Sequence, residues 1–344
     1  MKFREHVPLA PYTTFKIGGP ARWFAEASTE TEIFEAIDFA RKCSLPLFTL
    51  GGGSNLLVSD AGFSGLVLRI ALKGIEQDED LFRVAAGEDW DSFVTHAVSQ
   101  SYAGIECLAG IPGTLGGTPV QNVGAYGQEV AETIAAVRVF NLATLQFDDL
   151  SPEDCDFSYR RSIFNSKERG RYIVTRVDYS LKKEGHARVA YADLKKHFAG
   201  APEPSLTEVS AAVRNIRHQK GMLIVAGDPD CRSAGSFFKN PVISADHYSQ
   251  IVAKQSGEVP SYPAGEDRVK LPAAWLVEQA GFHKGFALGP AGISNRHTLA
   301  LINRDDAKAA DILALCDQII AAVEREFSIR LEPEPVFLGP ETKL

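Results

Sequence analysis

The sequence has no run of about 18 apolar residues, the length a helix needs to cross a bilayer. Its opening stretch, Met1-Lys2-Phe3-Arg4-Glu5-His6, lacks the apolar region of an export signal, so a cytoplasmic protein is expected. Cysteine is sparse: Cys43, Cys107, Cys155, Cys231 and Cys316 are far apart, and no Cys-x-x-Cys occurs. A disulfide scaffold and a structural zinc site are therefore unsupported, and free thiols in a reducing compartment fit. No histidine cluster has metal-ligand spacing, so no metal is expected. No block of Lys and Arg is present, and 44 acidic residues outnumber 36 basic ones for a net charge of −8. That balance argues against nucleic acid as the main partner and leaves a small molecule. Internal repeats and low-complexity segments are also missing. What remains is 344 residues, 45% hydrophobic and 23% charged, the composition of a globular protein of two or three domains.

The first part of the chain alternates helix and strand signals. Thr29-x-x-Glu32 reads as a capping box ahead of Ile33, Phe34, Ile37 and Ala40 at helical spacing. Strands are predicted at 46–50, 56–58, 65–70 and 82–87, then a helix after Asp89 with Phe93, Val94, Ala97 and Val98 on one face. Residues 104–127 carry too much Gly and Pro for a regular element, and too few polar residues for an exposed linker. A loop wrapped around a ligand is the natural reading. Strands follow at 136–140 and 172–177. Pro202-Glu203-Pro204-Ser205 marks a boundary, after which Val209, Val213 and Ile216 predict a helix. Further helices are predicted over 272–281 and 306–327, with a last strand at Ile329-Arg330-Leu331-Glu332.

Six segments stand out chemically. Gly51-Gly52-Gly53-Ser54-Asn55 follows a strand, where successive N–H groups can form an anion nest. It is neither the Gly-x-Gly-x-x-Gly dinucleotide fingerprint nor a Walker loop, and alone it reads equally well as a hairpin. The second glycine loop, Gly110 to Gly117 with Gln121 to Gly127, turns the balance toward a large, flat, phosphate-bearing cofactor. Tyr159-Arg160-Arg161 sets two cations beside an aromatic ring, and a guanidinium suits a carboxylate because its donors match both oxygens. Spacing does not choose between Arg160 and Arg161, and a surface ion pair is the plain alternative. Ser236 sits in Ala234-Gly235-Ser236-Phe237-Phe238-Lys239-Asn240-Pro241, where no Gly-x-Ser-x-Gly elbow surrounds it, so hydrolase chemistry is not indicated. Glu334 is clamped between Pro333 and Pro335 on a stiff extended segment. Arg214, Arg217 and Lys220 end one helix, as phosphate ligands or as a solvated cationic face.

Leu50 to Asn55, Gly110 to Gly127, Tyr159 to Phe164, Gly235 to Pro241 and Leu331-Glu332-Pro333-Glu334, together with Tyr12-Thr13-Thr14-Phe15-Lys16-Ile17-Gly18-Gly19, occur in the order and at the spacing of one family. The chain resembles the UDP-N-acetylenolpyruvoylglucosamine reductase (MurB) family of peptidoglycan synthesis over almost its whole length. Ala190-Tyr191-Ala192-Asp193-Leu194 resembles the tyrosine-bearing loop of the family's longer form. The resemblance implies an α+β chain. Two subdomains of the vanillyl-alcohol-oxidase (PCMH) type, at 1–70 and 71–203, would hold non-covalent FAD. A substrate-binding domain would span 204–328, with a strand in 329–344 returning to the first subdomain. It implies NADPH as hydride donor, a UDP-linked enolpyruvyl sugar as substrate, a monomer, and a role in cell-wall biogenesis, cell shape and division. Carried over by motif position, Arg160, Ser236 and Glu334 are catalytic, with Ser236 the proton donor. FAD contacts are Gly51, Gly52, Gly53, Ser54, Asn55, Ile111, Pro112, Gly113, Thr114, Gly117, Gly124 and Ile173. Substrate contacts are Tyr126, Tyr159, Tyr191, Arg217, Lys220 and Asn240. The chain departs from the family pattern in a longer stretch between Lys220 and Ser236, and at Val336, where a basic residue can occur. The rivals are a flavin oxidase of the same cofactor fold, acting on a sugar or alcohol, and a non-catalytic binding protein. Many such oxidases tie flavin to His or Cys, and Gly51 to Asn55 holds neither; a binding protein does not need Arg160, Ser236 and Glu334 together.

Overall fold

The computed structural model describes residues 1–200, 202–340 and 342. The first sheet has the order Arg4–Pro8, Pro20–Ala27, Phe63–Ile70, Leu47–Leu50. Its first pair is antiparallel, and Phe63–Ile70 lies parallel to both its neighbours. The crossover between Pro20–Ala27 and Leu47–Leu50 is the helix Glu30–Lys42, as a parallel connection requires. Thr29 caps it by accepting from Glu32 N at 3.2 Å, while the Glu32 carboxylate reaches Ser28 N, one residue earlier than in a standard capping box. The helix buries Ile33, Ala36, Ile37 and Ala40.

The second sheet is antiparallel throughout, in the order Gln146–Leu150, Ile134–Asn141, Tyr172–Ser180, Leu81–Ala85, Ile75–Asp78. Helix Trp90–Ser99 begins with Asp89 accepting from Ser92 N at 2.8 Å and buries Trp90, Phe93, Val94, Ala97 and Val98. Helix Leu206–Gln219, opened by the reciprocal Ser205–Glu208 capping box, packs Val209, Ala212, Val213 and Ile216 into the same core as both sheets.

A separate core gathers helices Ala273–Gln279 and Ala309–Phe327 with the strands Ala291–Ile293 and Leu301–Asn303. Phe15, Ile17 and Leu57 from the first part of the chain enter that core, so the two halves are joined by shared packing. Asp60 adds a polar joint: its carboxylate accepts from Ala309 N at 2.8 Å and Ala310 N at 3.1 Å, capping the long helix from outside it.

The final strand differs from the expectation. Residues 329–332 form no strand; the strand is Val336–Leu338, parallel to Leu56–Val58. Pro333 and Pro335 lack an N–H to donate to a ladder, so pairing begins after them, where Val336 N donates to Asn55 O at 2.9 Å. Residues 104–127 contain only 3-10 turns and two-residue strands, as their glycines predict. Among the described residues no helix is long and apolar enough to cross a membrane.

Candidate active site

A cleft of ≈ 1210 Å³ runs between the two sheets and the C-terminal core. One wall is built from the two glycine loops, laid back to back. Gly53 has φ +62°, and a Cβ there would lie 1.9 Å from Tyr12 O; a Cβ on Gly52 would lie 2.6 Å from Gly113 Cα. Only glycine permits this approach. The second loop is clipped down along its length. Trp90 Nε1 donates to Leu108 O at 3.0 Å, Trp90 N to Gly113 O at 3.1 Å and Leu115 N to Glu88 O at 2.9 Å.

Two features of this wall point to an absent guest. The buried Thr114 hydroxyl has no hydrogen-bond partner, although buried polar atoms nearly always have one. Gly117 lines the cleft, and a Cβ there would meet no atom within 4 Å, so protein packing alone does not demand glycine. Two closely apposed glycine loops, an orphaned hydroxyl and a cleft above the usual 300–1000 Å³ range of ligand pockets fit a dinucleotide cofactor.

The opposite wall carries the reactive candidates. Phe238 and Pro333 form an antiparallel bridge, flanked by Glu334 N to Phe237 O at 2.8 Å and Lys239 N to Glu332 O at 3.0 Å. That short ladder holds the half-buried Ser236 loop against the Glu334 segment. Asn55 Nδ2 donates to Glu334 O at 3.3 Å, tying both to the first glycine loop. Arg160 reaches across: its Nε lies 3.4 Å from Glu334 Oε1, and its Nη2 donates to Gly124 O at 2.7 Å. Arg160 has φ +56°, a conformation that is strained for a side-chain-bearing residue. Arg161 is exposed and lines no part of the cleft, so geometry separates the two arginines. Burial pushes the Glu334 carboxyl above its ordinary range, opposed by the Arg160 and Lys239 charges.

At the far end Arg217, 8% exposed, donates Nε to Gly110 O at 3.0 Å and Nη2 to Met222 O at 2.8 Å. Its guanidinium therefore shores up the second glycine loop while bordering the cleft. Arg214 points away, onto Asp91. Lys220 Nζ lies 2.6 Å from Asp193 Oδ2, so it anchors the loop that carries Tyr191. Tyr191 meets Tyr126 edge to face at 5.5 Å. Asn240 accepts from Ala273 N at 2.8 Å, capping a helix at the cleft rim.

Of the residues expected from sequence, all but one line this cleft. Ile173 is the exception. It is fully buried in the core, and its strand neighbours Tyr172 and Val174 face the cleft instead, because strand side chains alternate. Among the lining residues that the sequence did not point to, two carry chemistry of their own. His297 accepts from Leu299 N at 3.0 Å, and burial with Lys220, Lys284 and Arg217 nearby holds its imidazole down at about 4. Lys270 places its ammonium 5.0 Å over the Tyr159 ring. Neither lies in a recognisable motif. His297 is thus neutral at pH 7, and Lys270 joins Arg160, Arg169, Arg217, Lys220 and Lys239 along a cleft that also carries Glu129, Glu132, Glu332 and Glu334, so a chain of net charge −8 keeps an excess of cations here, suited to an anionic ligand.

Residues 21–144 match the family profile described as an FAD binding domain. The fold and the cleft thus define a flavoprotein, and FAD is the cofactor. Residues 228–338 match the profile of the UDP-N-acetylenolpyruvoylglucosamine reductase C-terminal domain. A UDP-N-acetylenolpyruvoylglucosamine reductase from Thermobifida fusca is 45% identical, covering 98% of each chain. The reductase of that name from Streptomyces coelicolor is 44% identical over 96% of this chain and 89% of its own. The crystal structure of the reductase (MurB) from Thermus caldophilus superposes with a TM-score of 0.68 at 28% identity, covering 98% of this chain and 100% of that one. The chain belongs to the UDP-N-acetylenolpyruvoylglucosamine reductase family.

Proposed function

We propose that the protein reduces the enolpyruvyl ether of UDP-N-acetylglucosamine to UDP-N-acetylmuramate, a step of peptidoglycan precursor synthesis. The observation that carries this reading is the convergence of Arg160, Glu334 and the Ser236 loop on one side of the cleft, facing the glycine loops. FAD supplies, when bound, the hydride it takes from NADPH. Gly51 to Asn55, Ile111 to Thr114, Gly117 and Gly124 hold it, with the Thr114 hydroxyl gaining the partner it lacks.

Hydride arrival at the β carbon of the enol ether leaves negative charge on the α carbon and its carboxylate. Arg160, fixed by Gly124 O and Glu334, is a preorganised cation for that charge. The buried Glu334 carboxyl, held above the usual range, shares a proton with the substrate carboxylate. The Ser236 hydroxyl delivers its proton to the α carbon and is reprotonated from solvent. Tyr126, Tyr159, Tyr191, Arg217, Lys220 and Asn240 hold the diphosphate and sugar. Of the expected divisions at 1–70, 71–203 and 204–328, the first two bind the cofactor, whereas helix Leu206–Gln219 at the head of the third packs into the core of the first two, so substrate closure falls to the C-terminal core that follows it. One chain supplies every group named, so a monomer suffices, and a nucleotide-linked substrate suits the cytoplasm expected from the sequence.

Ser236→Ala tests the reading. NADPH should still bleach the flavin at the wild-type rate, while reoxidation of the prereduced enzyme by the UDP-linked enolpyruvyl sugar slows by about 10²–10⁴-fold. Unchanged reoxidation overturns the assignment.

A further inference from the structure

The segment Tyr12 to Gly19 runs from one half of the molecule to the other, and the reading above gives it no task. Its centre is Thr14. The Thr14 main-chain N–H donates to Gly53 O at 3.2 Å, inside the first glycine loop. The Thr14 hydroxyl lies 2.6 Å from Ser233 O and 3.3 Å from Ser54 O. A hydroxyl has one proton to give, so the shorter contact takes it and the longer one is a weak branch. Ser233 roots the loop that ends in Ser236: its own hydroxyl accepts from Gly235 N at 3.2 Å, and Gly235 turns the chain at φ +72°. The neighbouring Phe15 O accepts from Asn303 Nδ2 at 3.0 Å, fixing the same segment to the C-terminal core.

We propose that Thr14 is a positioning residue that sets the reach of Ser236 toward the cofactor side of the cleft. Its main chain grips the loop that holds the cofactor, and its side chain grips the loop that holds the proton donor. Thr14 and Ser233 are 219 residues apart in sequence, and Thr14 joins the two loops directly, beside the longer path through Asn55 and Glu334. The proposal rests on the reading of Ser236 as proton donor.

The side chain bonds chiefly to the Ser233 loop and the main chain to the first glycine loop, which makes the test selective. In Thr14→Val, amide hydrogen exchange of the apoprotein should accelerate at residues 233–237 and change far less at 51–55, where the main-chain bond to Gly53 O is kept. In the loaded enzyme, flavin reduction by NADPH should hold within about twofold, while reoxidation by the UDP-linked enolpyruvyl sugar slows by about tenfold, the worth of one hydrogen bond of about 1.4 kcal/mol. Thr14→Ser, which keeps the hydroxyl, should restore both readouts. If Thr14→Val does not fold, Thr14→Ala, which leaves room for a water between the loops, replaces it with the same expectations. Unchanged exchange at 233–237 together with unchanged reoxidation overturns the proposal. So does exchange that rises equally in both loops, which marks a general loosening. Ser236→Ala run alongside separates the two claims: if it too reoxidises normally, the reading of the site has failed rather than the role of Thr14.

Discussion

Gly117→Ala separates a glycine kept for a ligand from a glycine kept for the fold. Gly117 closes the short turn Leu115–Gly117, and a methyl at its Cα meets no protein atom within 4 Å. The apoprotein therefore has room for alanine. The substitution also narrows the unfolded chain's freedom, an effect of about 0.4–1 kcal/mol in favour of folding. The apoprotein should melt no lower than wild type. Gly117 lines the cleft, and on the proposed placement of FAD the methyl takes the cofactor's space, so FAD affinity should fall by at least about tenfold, or about 1.4 kcal/mol. Gly53→Ala is the opposite case. Its φ of +62° costs alanine about 1–2 kcal/mol, and a Cβ 1.9 Å from Tyr12 O forces the backbone to move. It should lower the melting temperature of the apoprotein before any cofactor is added. The assay is thermal unfolding of flavin-free protein followed by FAD titration, read from quenching of flavin fluorescence. Wild-type FAD affinity in Gly117→Ala would refute the placement of the cofactor against this loop. A clear loss of apoprotein stability would refute the claim that the fold leaves that position empty.

Glu334→Gln should slow reoxidation of prereduced enzyme by the enolpyruvyl substrate by about 10²–10³-fold, the scale for losing one preorganised charge-stabilising group. Because burial raises the folded-state pKa of Glu334, its ionised form weakens the fold at neutral pH, and the glutamine apoprotein should melt no lower. Normal turnover with a lower melt would sink both statements. His297 carries the opposite sign of linkage: its folded pKa of about 4 lies below the ordinary 6.5. The unfolded chain takes up that proton first, so stability falls by about 1–3 kcal/mol as the pH drops from 6.5 to 4. Denaturant titrations of apoprotein across that window should show a shallower loss in His297→Asn, and parallel curves would count against it.

The parts of the site that were legible in sequence are those where local chemistry is demanding. Gly52 and Gly53 have to be glycine for backbones to touch, and Glu334 sits between two prolines that stiffen it. The residues that escaped are brought in by tertiary packing alone. His297 and Lys270 have no local pattern, since nothing near them in sequence requires a histidine or a lysine. Ile173 was misplaced by one residue on an alternating strand, where a single step turns a side chain from cleft to core. Ile329 and Leu331 alternate as strand residues do, but the donors that Pro333 and Pro335 lack move the last strand on to Val336–Leu338. Spacing alone left Arg160 and Arg161 equivalent; the left-handed turn at Arg160 is what aims one of them inward.

The pairing of Val336–Leu338 with Leu56–Val58 has a consequence for how the protein is made. The Asn55 side chain meets the Glu334 carbonyl across 279 residues of chain. During synthesis the first glycine loop leaves the ribosome long before the segment that completes it. The sheet of Leu47–Leu50 and its partners can form early, but Leu56–Val58 waits with an unpaired edge until Val336–Leu338 is out. On the proposed role of Glu334, catalytic competence is therefore acquired only after that segment emerges, and a ribosome that stalls at residue 330 holds a cofactor platform still without its carboxylate.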